Sequence, residues 1–66
     1  MLRIKDICVG DLICVPSNGN HILVMHKDDD NRQLGCRLVK SDETIDIDYE
    51  TVMEMIEHSK WTKVCR

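Results

Sequence analysis

Residues 44–58 read TIDIDYETVMEMIEH, and over these fifteen positions the spacing of apolar residues changes from two to three and four. In the first part Ile45 and Ile47 alternate with Thr44, Asp46 and Asp48, the period of a strand with one buried face. Then Tyr49, Val52, Met53 and Ile56 fall at i, i+3, i+4 and i+7, one stripe of a helix, with Glu50, Glu54 and Glu57 on the other side. Asp48 stands where an N-cap belongs, its carboxylate placed to accept from the free amide hydrogens of the first turn. The helix is expected to end near His58 or Ser59, where His58 and Lys60 meet the negative pole of its dipole. Met55 lies off the stripe and is expected at the surface.

Upstream of this stretch the chain reads as short strands separated by turn chemistry. LICVP (12–16) is followed by SNGN (17–20), whose Asn and Gly residues tolerate left-handed backbone angles, and then by HILVMHK (21–27), which together predict a hairpin. DDDNRQ (28–33) supplies the next turn, LGCRLVK (34–40) the next strand and SDE (41–43) a tight connection. Downstream, WTKVC (61–65) alternates again and predicts a closing strand. Gly10 and Asp11 fit a turn through which the chain enters the first core strand, Leu12 to Val15. The expected fold is mainly β, a small barrel of five or six short antiparallel strands with one amphipathic helix before the last.

That order of strands, with Gly10-Asp11-Leu12-Ile13 leading into the first of them, resembles the SH3-like small barrels, including KOW and Tudor-type modules. The resemblance covers residues 6–65 in outline and implies a barrel that serves as a binding module. Tudor-type modules hold their ligand in an aromatic cage, which one Tyr and one Trp do not supply.

A chain of 66 residues makes a single domain, and one core of that size yields roughly 3–5 kcal/mol of net stability. With no Phe, the core has to come from Ile, Leu, Val, Met and Cys, with Tyr49 and Trp61 as the larger pieces, which leaves room for oligomerisation as extra burial. Hydrophobic residues at 42% against 32% charged place the chain among ordered globular domains. No apolar run approaches the roughly 20 residues of a membrane helix. Arg3, Lys5, Asp6 and Asp11 interrupt any apolar leader, so a cytoplasmic setting is expected. There Cys8, Cys14, Cys36 and Cys65 are expected as free thiols, Cys14 and Cys36 packing inside strands.

The chemical motifs are sparse. Four Cys with His21, His26 and His58 suggest zinc, but no Cys-x-x-Cys occurs, and two His five apart on a regular strand point to opposite faces. Asp28, Asp29 and Asp30 lack the loop pattern of a calcium site and read as a solvated turn. Nucleophilic catalysis needs a Cys beside a His in a formed cleft, for which so short a chain has little volume. No catalytic residue, metal site, cofactor or membrane association is therefore expected. Whether any Cys and His meet in space stays open at this point.

Charge carries the most content. Residues 42–57 hold Asp42, Glu43, Asp46, Asp48, Glu50, Glu54 and Glu57 with no Lys or Arg, so one strand and one helix contribute most of the net charge of −3. A solvated face that keeps the protein soluble is one reading. The sharper one is a docking surface of Asp46, Asp48, Glu50, Glu54 and Glu57, with Met55 as its apolar contact, for a basic surface on a larger protein or complex that is modulated or inhibited, in the manner of phage accessory proteins. The alternatives are a nucleic-acid-binding barrel in which Arg32, Arg37, Lys40, Lys60 and Lys63 converge, and a structural subunit that self-associates through a sheet edge.

Overall fold

The computed structural model of the chain describes residues 2–64. Five antiparallel strands, β1 (Leu12–Val15), β2 (Asn20–Asp28), β3 (Gln33–Leu38), β4 (Glu43–Asp48) and β5 (Thr62–Lys63), form one sheet in the order β4-β3-β2-β1-β5. A helix, α1 (Tyr49–His58), follows β4 without a linker, and a single 3-10 turn at Ile4–Asp6 precedes the sheet. The sheet is open: β4 and β5 are its edges, and no ladder joins them among the described residues.

The turns follow the chemistry of their residues. Gly10 adopts φ +95°, and the Asp11 carboxylate accepts the Cys8 amide hydrogen at 2.7 Å while the Asp11 amide donates to the Cys8 carbonyl at 3.0 Å. The bond from the Cys8 amide to the carboxylate, with Lys63 at 3.1 Å, holds the Asp11 carboxyl below the usual range. Gly10 and Asp11 also bond to Val24, so the pair starts the β1–β2 ladder. In the next turn the Asn18 side chain accepts from the Asn20 amide, and Gly19 takes φ +69°.

One face of the sheet carries Ile13, Val15, Ile22, Val24, Leu34 and Cys36, and α1 lays Tyr49, Val52 and Ile56 against it. Ile7, fully buried, completes this core from a segment whose spacing shows no period. Asp48 caps α1 as its position predicts, accepting from the Thr51 amide at 3.1 Å and the Thr51 hydroxyl at 2.7 Å. Those two bonds keep the Asp48 carboxyl below its ordinary value.

Strand β2 departs from simple alternation. Val24 pairs with Cys36 but His26 pairs with Gly35, so Met25 is an extra residue, a bulge, 50% exposed. Past the bulge the faces exchange. His26 joins His21 on the outer face, correcting the expectation that they point apart, and Lys27 turns to the core side. There its ammonium donates to the carbonyls of Ile4 and Ile7 at 3.1 and 2.9 Å, which fixes the 3-10 turn to the sheet.

The helix is also rotated from the expected stripe. Met53, counted among the buried positions, is 44% exposed, whereas Met55, expected outside, is half-buried and accepts from the Ser59 hydroxyl. Tyr49, Val52 and Ile56 define the true centre of the buried face, which leaves Met53 and Met55 on its two flanks. The closing strand is shorter than WTKVC implies: Trp61 packs against the core, only Thr62 and Lys63 form β5, Val64 adds one bond to Leu12, and Cys65 lies outside the described residues.

Candidate protein-binding surface

The acidic segment is spread over two faces. Asp46 pairs across to Gly35 and stands on the outer face of the sheet, while α1 lies on the opposite, core side. Asp48 is committed to the helix cap. Glu50 receives two bonds from Arg32, Nη2 at 2.8 Å and Nε at 3.1 Å, so its charge is largely answered within the chain. Glu54 and Glu57 are exposed, and among the described residues neither has an ion-pair partner. Helical spacing places exposed Met53, rather than Met55, beside Glu50 and Glu57.

Arg32 belongs to a small network that no spacing in the sequence reveals. Its backbone is left-handed (φ +54°), its carbonyl accepts the Tyr49 amide hydrogen at 2.8 Å, and its guanidinium lies 5.6 Å from the centre of the Tyr49 ring. The Tyr49 hydroxyl donates to Asp29 at 2.6 Å. Burial, followed by that bond to a carboxylate, pushes the Tyr49 phenol up to about 12. The β2–β3 turn is thereby tied to the first turn of α1.

A cleft of about 360 Å³ remains on the core side. Leu38, Ile45 and Ile47 form its sheet side, and Thr51, Met55 and Trp61 its opposite wall. Ile45, on the edge strand, is 38% exposed. Half-buried Met55 thus lines an apolar cleft, next to an edge strand that carries Glu43, Asp46 and Asp48 and no cation.

The basic residues do not gather. Arg32 and Lys40 flank opposite ends of β3, Arg37 is paired with Asp42, the Lys60 ammonium reaches the Glu57 carbonyl at 3.3 Å, and Lys63 is held by Asp11 and the Asp6 carbonyl. The question of Cys and His contact is answered by Cys14 and His21, directly opposed on β1 and β2. No third ligand joins them: among the described residues no group of three His, Cys, Asp or Glu is placed to hold a metal. No helix is long and apolar enough to cross a membrane, among the same residues.

Cys36 is buried, and burial, followed by the charge of Asp46, pushes its thiol up to about 11. Cys8 is exposed. At pH 8 a thiol reagent is expected to modify Cys8 freely and Cys36 at least about 100-fold more slowly, at the rate of domain opening. Peptide mapping of a labelling time course checks this, and equal rates would contradict a packed Cys36. Compared with protein-family models, curated proteins and solved structures, the chain matches none.

Proposed function

We propose that this chain is a non-enzymatic binding domain of SH3-like barrel type that docks on a basic surface of a larger protein or complex and modulates or inhibits it. The observation that carries the reading is the apolar cleft left open beside the acidic edge of the sheet, a concave, mostly apolar surface with charge at its border of the kind that binding sites use. The strand meander with a helix before the last strand supports the barrel-type assignment. Glu54 and Glu57 add an unanswered negative potential, which steers encounter with a basic partner.

The test is charge reversal at positions that the fold does not use. Glu54→Lys with Glu57→Lys is expected to slow association with the partner, recovered from the native host by nuclease-treated capture, by about tenfold at low salt. The melting midpoint should stay within about 2 °C, as for other exposed positions. Glu50→Lys belongs in a separate variant, because it removes the Arg32 pair and is expected to lower the midpoint. Unchanged association in the double variant would remove the docking role of the helix, and recovery that disappears with nuclease would replace the reading with nucleic-acid binding.

A further inference from the structure

We propose that the free edge of β4 accepts an extended segment of another protein as an added strand, and that this segment alternates apolar with basic side chains. The inference rests on the docking reading and specifies its chemistry.

The phase of the ladder shows which backbone groups are free. The Tyr49 amide donates to the Arg32 carbonyl at 2.8 Å, and the register places Leu34 opposite Ile47 and Cys36 opposite Ile45. Bonded and non-bonded pairs alternate in an antiparallel ladder, so Ile45 and Ile47 bond to β3 while the amides and carbonyls of Thr44 and Asp46 point away from it. These are the groups an added strand would engage.

The two faces of the edge then dictate the incoming side chains. Ile45 and Ile47 project to the core side, where the cleft walled by Met55 and Trp61 has room for apolar groups. Thr44 and Asp46 project to the outer side. Among the described residues Asp46 has no ion-pair partner, so residues beside it are favoured when they are Lys or Arg. A second copy of β4 fits poorly, because edge-to-edge pairing would set two cation-free strands with Glu43, Asp46 and Asp48 against each other.

The probe is a synthetic peptide of alternating valine and lysine, on the order of seven residues and so long enough to span β4. A valine and glutamate counterpart and a peptide N-methylated on its ladder-facing amides serve as controls. In NMR titrations the lysine peptide is expected to shift the Thr44 and Asp46 amides and the Ile45 and Ile47 methyl groups. Asp46→Lys should weaken it by about three- to tenfold, and N-methylation should abolish it. Thr44→Pro, which removes an outward donor without touching the β3 ladder, should do the same in a domain whose remaining spectrum is unchanged. Equal binding of the glutamate peptide, or no shifts at millimolar peptide, would overturn the edge proposal. Shifts confined to Glu54 and Glu57 would also overturn it while leaving the docking reading standing, because that reading is tested separately by the helix double variant.

Discussion

Leu34→Ala is expected to leave the domain at or beyond the limit of folding. Leu34 is 2% exposed and is the second residue of β3, flanked by Lys27 and Ile47 on the neighbouring strands. Truncating such a residue costs about 2–5 kcal/mol, from lost transfer energy and from the cavity left behind. A core of this size supplies roughly 3–5 kcal/mol in total. Thermal melts followed by circular dichroism should show a midpoint lower by about 10–25 °C, or no transition. Leu34→Met, which conserves volume, should cost less than about 1.5 kcal/mol. An alanine variant that melts within a few degrees of the parent would mean that the core is not centred on Leu34.

Lys27→Ala should be nearly as damaging. The Met25 bulge turns Lys27 to the core side, where its ammonium donates to the carbonyls of Ile4 and Ile7. The substitution takes that donor from both carbonyls. A buried polar group left unsatisfied costs about 1–3 kcal/mol, and undocking Ile7, now fully buried, adds to it. Removing Met25 should cost much less, because a β2 without the extra residue alternates evenly and still sets His26 outward and Lys27 inward. Thermal melts of the two variants check this. A Lys27→Ala variant that melts within a few degrees of the parent would mean that the 3-10 turn is held without the ammonium.

These two variants also mark the boundary of what could be read from the residues. Local signals were legible: the change of period at Tyr49, the Asp48 cap, the Asn and Gly turn, and Gly10-Asp11 as the entry to β1 all depend on neighbours in sequence. Features that depend on partners across the sheet were not. The Met25 bulge leaves no mark in the alternation of HILVMHK, because Val and Met are both apolar and conceal the extra residue. The same blindness placed His21 and His26 on opposite faces and hid the inward turn of Lys27. The Met53 and Met55 exchange came from counting a wide stripe where the sheet covers a narrow one. The pairing of Arg32 with Glu50 joins residues eighteen apart through a left-handed turn, so the apparently uniform acidic face contained a neutralised member.

The order β4-β3-β2-β1-β5 also bears on how the sheet comes together. Three of its four ladders join strands adjacent in sequence, so they close short loops and form early. The fourth joins β1 to β5, far apart in sequence, through the two residue pairs Ile13–Lys63 and Cys14–Thr62. It has the longest loop to close, so β5 is expected to fasten the first strand last. The opposite edge, β4, then stands exposed before the domain is complete. A row of carboxylates with no cation is well suited to that interval, because it repels the same edge on other copies of the chain.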